Sequence, residues 1–151
     1  MAKTSPRTEM DKALKQLVIP LLRTLGFQGS YPHFRRMQNE QIDLLSFSFS
    51  RFGGEFSVEL AICPADGFRY HSGELVPPEK VTAFNILYER TSLRNPAHSS
   101  GDFVFGKPTF EPNYDVVLPP QFYEHIAAQL KKQMSAKLSE PFRIRSRATG
   151  M

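Results

Sequence analysis

Two runs of alternating residues joined by adjacent glycines constrain this chain more than any other feature. Residues 41–51 and 55–63 each place alternate side chains on opposite faces, with the period of a β-strand. Gly53 and Gly54 lie between the runs, and glycine readily adopts the backbone angles of a tight hairpin turn. The second run is amphipathic, and its apolar members are Phe56, Val58, Leu60 and Ile62. We therefore expect a β-hairpin over residues 41–63.

Helical spacing of apolar residues predicts a helix before this hairpin. From about Glu9 to Leu25 the apolar residues recur every three or four positions, which places them on one face of a helix. Thr8 supplies an N-cap oxygen, and Gly26 can take the left-handed conformation that ends a helix. Pro20 lacks a backbone amide proton and crowds the preceding turn, so we expect a kink there.

A second helix is predicted near the end of the chain, from about Gln121 to Leu138. Pro119 and Pro120 precede it, at positions where a missing amide proton costs nothing. Its apolar residues recur at every fourth position and define one stripe. The stripe consists of Phe122, Ile126, Leu130, Met134 and Leu138, joined by Tyr123 and Ala127.

Shorter strand patterns complete the fold prediction. Residues 31–37 and 81–93 alternate as strands do, and residues 103–105 and 115–118 add two short candidates. Residues 64–80 are rich in proline and glycine and form a long loop, which is either functional or covers the core. Together these elements predict an α+β fold: an antiparallel sheet of four to five strands, with the N-terminal and C-terminal helices packed on one face.

Composition and charge indicate one globular domain without a membrane span. A chain of 151 residues with 40% hydrophobic residues can bury one core, and it has no run of 18 apolar residues. The net charge of +4 is concentrated near the two ends. We expect a single domain over residues 1–141 and a basic, flexible tail over residues 142–151. A cytoplasmic location is expected, because the N-terminus lacks the apolar core of a signal peptide and Cys63 has no partner for an internal disulfide.

Three of these segments resemble one protein family. Leu17–Phe27 (LVIPLLRTLGF) is similar to an opening apolar helix that contains a proline and ends in Leu-Gly-Phe. Phe34–Arg36 matches a following short strand with an aromatic and basic residues, and Leu45–Ile62 matches the two strands and turn after it. These segments, within residues 9–64, resemble the bacterial domain of unknown function 4304 family. That family has no assigned activity, so the resemblance implies a fold and no catalytic residues.

The residue types that carry common enzyme chemistry show no recognisable pattern. Gly53 and Gly54 lie in a hairpin and not before a helix, so they do not indicate a phosphate-binding loop. The histidines show no pair at metal-ligand spacing; they are His33, His71, His98 and His125. Cys63 ends a strand, where a buried thiol is a more common role than a nucleophile. We therefore predict no catalytic residue, no metal and no cofactor.

One polar grouping suggests a binding role. Tyr31, His33 and Arg35 alternate along a strand and therefore share one face. Arg69 and Tyr70 lie in the long loop, which can overhang that face. Because arginine and tyrosine are frequent in the energetic centres of protein interfaces, we predict that these five residues contact a protein partner.

Three functional classes remain open. A small α+β domain without a catalytic pattern suits a non-enzymatic protein-binding module, such as an immunity-type or regulatory protein, and this is our main prediction. The alternative is a nucleic-acid-binding protein that uses basic residues near the C-terminus. These residues are Lys131, Lys132, Lys137, Arg143, Arg145 and Arg147. The third class is an enzyme of unrecognised type with a pocket under the loop of residues 64–80.

Overall fold

The computed structural model describes residues 4–87 and 90–143 of the chain. Its helices are α1 (Pro6–Leu17), α2 (Ile19–Thr24) and α3 (Pro120–Lys137). Its strands are β1 (Gln28–Ser30), β2 (His33–Gln38), β3 (Gln41–Phe49), β4 (Glu55–Pro64), β5 (Phe68–Arg69), β6 (Leu75–Val76), β7 (Arg90–Leu93) and β8 (Phe103–Val104). The predicted α+β class, with an antiparallel sheet and a helix near each end of the chain, is confirmed.

The strands of the described residues form a six-stranded sheet and a separate two-stranded one. In the larger sheet the order is β1-β2-β3-β4-β7, and β8 also pairs with β4. The pairs β1–β2, β2–β3, β4–β7 and β4–β8 are antiparallel. β3 and β4 form the predicted hairpin, and Gly53 and Gly54 each have a φ of 85°, in the region that favours glycine. β5 and β6 pair with each other inside the predicted long loop.

The packing of the chain divides it into two compact units. The first, called the helical unit, holds the described residues of 1–25, 48–57 and 94–139. The second, called the sheet unit, holds the described residues of 26–47, 58–93 and 140–151. β3 and β4 contribute residues to both units.

In the helical unit, the predicted N-terminal helix is interrupted at Val18, close to Pro20, and forms the two helices α1 and α2. α1 ends at Leu17 and α2 begins at Ile19. Pro20 lies in the first turn of α2, where its missing amide proton leaves no hydrogen bond unmade. The N-cap of α1 is Ser5 and not Thr8: the Ser5 side chain accepts a hydrogen bond of 3.1 Å from the Thr8 backbone amide.

The buried face of α3, which packs against α1, consists of residues of the predicted stripe. Its buried residues are Tyr123, Ala127, Leu130 and Met134, with Leu138 directly after the helix. Phe122, in contrast, is 39% exposed. Because a helix has 3.6 residues per turn, strict four-residue spacing drifts around its surface. The buried set includes one three-residue step, which keeps it on one face.

A buried ion pair links neighbouring strands of the sheet unit. Arg36 on β2 and Asp43 on β3 are opposite each other in the antiparallel register. Arg36 Nη2 lies 2.9 Å from Asp43 Oδ2, and the two side chains are 3% and 0% exposed. The Arg36 guanidinium carbon also lies 4.4 Å from the centre of the Phe27 ring and 5.4 Å from that of Phe142. Both charges are therefore removed from water, which is tolerable only because they are paired.

The same pair anchors the segment that follows α3. Arg36 Nη2 donates a hydrogen bond of 3.0 Å to the Glu140 carbonyl, and the Phe142 amide donates one of 3.3 Å to Asp43 Oδ1. Gln41 Nε2 completes the network, with bonds of 2.7 Å to Asp43 Oδ1 and 3.0 Å to the Phe142 carbonyl. The chain after α3 is thus held by backbone and side-chain hydrogen bonds together.

Phe142 belongs to this core and not to the flexible tail predicted for residues 142–151. Its side chain is 7% exposed, and its ring centre lies 5.9 Å from that of Phe27. The rest of the predicted tail, from residue 144 onward, lies outside the described residues. The division into a single domain over residues 1–141 stays a prediction.

Two predicted strands have a different structure. Within residues 81–93, a 3₁₀ turn over Ala83–Asn85 precedes the short strand β7. The Thr82 amide donates a hydrogen bond of 2.8 Å to Asn85 Oδ1, which stabilises a turn where alternation alone predicts a strand. Residues 115–118 contain no strand.

Candidate functional site

His33, on the predicted polar face of β2, contacts residues of its own unit. Its Nδ1 lies 2.7 Å from Oγ of Ser46, its cross-strand neighbour. Its ring makes an edge contact with Phe84, with the ring centres 5.2 Å apart. Burial lowers the pKa of His33 below its usual 6.5, and the positive charge of Arg35 lowers it further. Both effects favour the neutral form of His33.

Arg35 shares this face and holds the segment 78–86 in place. Its guanidinium donates one hydrogen bond to the Pro78 carbonyl and another, of 3.1 Å, to the Val81 carbonyl. Tyr31 lies before β2, and its ring centre is 5.4 Å from that of Phe47. These side chains have structural roles that the alternation pattern alone does not show.

The loop residues of the predicted site brace the β5–β6 hairpin. Arg69 Nη1 donates a hydrogen bond of 2.6 Å to the Gly73 carbonyl. The Tyr70 hydroxyl accepts one of 2.9 Å from Asn85 Nδ2, so Tyr70, like Arg35, contacts the segment 78–86. His33, Arg35 and Tyr70 thus all contact the segment 78–86. The contact of the five predicted residues with a partner stays a prediction.

The basic residues of the nucleic-acid alternative are exposed wherever the structure describes them. They are Lys131, Lys132 and Lys137 on α3, and Arg143. Arg145 and Arg147 lie outside the described residues. Free lysines near the end of a helix are also common on ordinary solvated surfaces, because they interact favourably with the helix dipole.

Cys63 is poorly suited to act as a nucleophile. Its thiol is buried, and burial raises its pKa to about 11, with Asp66 adding to the rise and Arg35 opposing it. The thiolate is the reactive form, and such a thiol is almost fully protonated near neutral pH. Among residues 4–87 and 90–143, no three His, Cys, Asp or Glu side chains converge into a set that could hold a metal ion.

An exposed cluster in the helical unit, here called the aromatic surface, was not predicted from the sequence. It consists of Phe52 and Phe110, whose side chains are 49% and 75% exposed. The rings of Phe52 and Phe110 meet edge to face, with their centres 6.2 Å apart. Only the abundance of phenylalanine in the sequence could have signalled such a cluster, because Phe52 and Phe110 are far apart in the chain.

Backbone hydrogen bonds hold the two segments of the aromatic surface together. The Thr109 amide donates a bond of 2.6 Å to the Phe52 carbonyl. The Gly54 carbonyl accepts bonds of 2.8 Å and 3.1 Å from the amides of Phe105 and Gly106. A Cβ at Gly54 would lie 2.7 Å from the Gly106 carbonyl oxygen, so this close approach requires glycine. The backbone segments that carry Phe52 and Phe110 are therefore held in a fixed arrangement.

A small cavity lies beside this surface. Its volume is about 170 Å³, and its lining includes Phe49, Phe105 and Tyr114. The Arg7 guanidinium covers one side, with its carbon 3.5 Å from the centre of the Phe49 ring. The cavity is smaller than the pockets of roughly 300–1,000 Å³ that bind drug-sized ligands, so a single inserted side chain suits it better.

Comparison with known proteins places the chain in a family without assigned activity. Residues 18–108 match the family described as Domain of unknown function (DUF4304). This chain belongs to that family. The resemblance was predicted for residues 9–64; the match begins at residue 18, continues through β8 and ends before Phe110 and α3. No match exists among the curated proteins or the solved structures compared. None of the helices in the described residues has the length and hydropathy needed to span a membrane.

We predict that Arg35→Ala lowers the free energy of unfolding by about 1–3 kcal/mol, because it removes two charge-assisted hydrogen bonds to the segment 78–86. Urea denaturation measures this change, with Lys80→Ala as a control that removes an exposed positive charge from the same region. A loss below about 0.5 kcal/mol would show that these bonds do not stabilise the unit.

We also predict a pH dependence that comes from His33. Because its pKa is lowered on folding, the unfolded chain binds more protons as the pH falls through 6.5. The stability contributed by neutral His33 is therefore complete above that pH and decreases below it. Denaturation at a series of pH values should show a shallower acid loss for His33→Gln than for wild type or the control His71→Gln. Identical pH profiles for all three proteins would refute this assignment.

Proposed function

We propose that this protein is a non-enzymatic module that binds another protein, as an immunity-type or regulatory protein does, through the aromatic surface. The observation that carries this proposal is the exposure of Phe110, at 75%, in contact with the half-exposed Phe52. Large apolar side chains exposed together often mark an interaction site. Aromatic residues also dominate the binding energy of protein interfaces.

The backbone hydrogen bonds beneath the aromatic surface and its charged neighbours support the proposal. Because backbone hydrogen bonds fix Phe52 next to the segment that carries Phe110, little conformational entropy is lost when a partner binds. Charged residues nearby are exposed, including Arg51, Lys107 and Glu111. Arg51 lies over the Phe52 ring, with its guanidinium carbon 4.8 Å from the ring centre. Exposed aromatic side chains with charged neighbours have the composition of an interface core and its polar rim.

The cavity beside Tyr114 adds a place for one anchoring side chain of the partner. Its lining by Phe49 and Phe105 would bury an apolar group, and Lys107 and Asp115 also contribute to its lining. Anchoring residues in protein complexes commonly fill such small desolvated pockets. We further propose that the protein acts in the cytoplasm, where the free thiol of Cys63 would stay reduced.

Affinity purification from the native host tests this function. Wild type is compared with Phe110→Ser and with the control Leu87→Ser, which replaces another exposed apolar residue, in the sheet unit. We expect a protein that is captured by wild type and the control and lost by Phe110→Ser. With that protein purified, Phe110→Ser should weaken binding by roughly thirtyfold, the effect of losing one hot-spot side chain.

Two results of this affinity purification would contradict the proposed function. Capture that is equal for all three baits would place the contact away from the aromatic surface. Capture that disappears on nuclease treatment, and that depends on Lys131, Lys132 and Lys137 instead of Phe110, would favour the nucleic-acid alternative. Such binding should also weaken steeply with increasing salt.

A further inference from the structure

The β5–β6 hairpin borders a second cavity, called the hairpin pocket, which lies within the sheet unit. Its volume is about 490 Å³, within the range of small-molecule sites. Apolar side chains from three parts of the unit line it, and two charged residues join them. The apolar residues are Ile62, Phe68, Leu75 and Ile86, and the charged ones are Asp66 and Arg69.

The hairpin that borders this pocket has a defined conformation. Gly67 has a φ of 109°, and a Cβ there would collide with the Val76 carbonyl oxygen, so the close approach of the two strands requires glycine. Phe68 and Val76 pack against the buried core of the unit. The hydrogen bond from Asn85 to Tyr70 ties the hairpin to the segment 78–86. The pocket therefore exists before any ligand enters it.

The charges of the hairpin pocket are of opposite sign. Asp66 is exposed, and among the described residues its carboxylate has no hydrogen-bond or ion-pair partner. Arg69 Nη1 donates a hydrogen bond to the Gly73 carbonyl. Because a guanidinium has five N–H donors, Arg69 can also bind a second acceptor. The lining thus offers one anionic group, one cationic group and an apolar wall.

We propose that the hairpin pocket binds a zwitterionic small molecule with an apolar body, the chemistry of a free apolar amino acid. The ammonium group pairs with Asp66, the carboxylate pairs with Arg69, and the apolar body packs against Phe68, Leu75 and Ile86. A ligand with only an amine would meet the positive charge of Arg69. A ligand with only a carboxylate would meet the negative charge of Asp66. A zwitterionic ligand is therefore the only one of these three that can form a favourable charge pair with both Asp66 and Arg69.

Calorimetric titration with three related compounds tests the proposal. L-phenylalanine carries both charges, 3-phenylpropanoate lacks the ammonium group, and phenethylamine lacks the carboxylate. We expect L-phenylalanine to bind at least roughly tenfold more tightly than either analogue. Binding of L-phenylalanine that is undetectable up to about 10 mM, or equal binding of all three compounds, would overturn the proposal.

Two charge variants identify the groups that recognise the ligand. Asp66→Asn should weaken L-phenylalanine binding by roughly tenfold without weakening 3-phenylpropanoate, and Arg69→Gln should weaken L-phenylalanine without weakening phenethylamine. The controls are Glu74→Gln and Lys80→Gln, which remove exposed charges outside the pocket lining. Variants that bind as their controls do would overturn the proposal.

Thermal unfolding of each variant separates a binding defect from a folding defect. Asp66→Asn should melt as wild type does, because its carboxylate holds no other described residue. Arg69→Gln loses the bond to the Gly73 carbonyl. If Arg69→Gln has a lower melting temperature than wild type, the comparison of L-phenylalanine binding by Asp66→Asn and by its control Glu74→Gln still shows whether the ammonium group is recognised.

Discussion

The buried ion pair of Arg36 and Asp43 is the interaction on which the sheet unit depends. Removing both charges from water costs several kcal/mol per ion, and a mutual bond of 2.9 Å offsets this only when the remaining polar atoms are also satisfied. Here Gln41, Glu140 and Phe142 supply those further hydrogen bonds. A one-residue slip between β2 and β3 would move these charges out of register. The pair therefore favours one strand alignment, and that alignment places His33 opposite Ser46.

Much of the fold follows from local patterns in the sequence. The period of two on both sides of Gly53–Gly54 predicts the β3–β4 hairpin, and helical spacing predicts both terminal helical regions. The turn at Ala83–Asn85 could not be predicted in this way, because it depends on one side chain bonding to a neighbouring amide. The burial of Arg36 and Asp43 is equally hidden. Charged residues in a strand ordinarily indicate a solvent-facing side, and only the three-dimensional packing removes them from water.

The candidate sites were harder to predict than the fold. Arg35 is polar and alternates onto a strand face, yet it forms hydrogen bonds to the protein's own carbonyls. Phe110 lies outside every helix and strand that the sequence patterns predict, and its contact with Phe52 joins segments that are distant in sequence. Sequence patterns report which side of an element is buried. They do not report which apolar side chain a loop leaves exposed, since that depends on where the loop attaches.

A double-mutant cycle on the buried pair tests the central claim most directly. The free energy of unfolding is measured for wild type, Arg36→Met, Asp43→Leu and the double variant. Each single change should cost about 3–5 kcal/mol, because it leaves the other charge buried and unpaired. The double variant should lose clearly less than the sum of the two, since neither charge remains. Single losses below about 1 kcal/mol, or losses that add to within about 0.5 kcal/mol, would contradict the claim that this pair organises the unit.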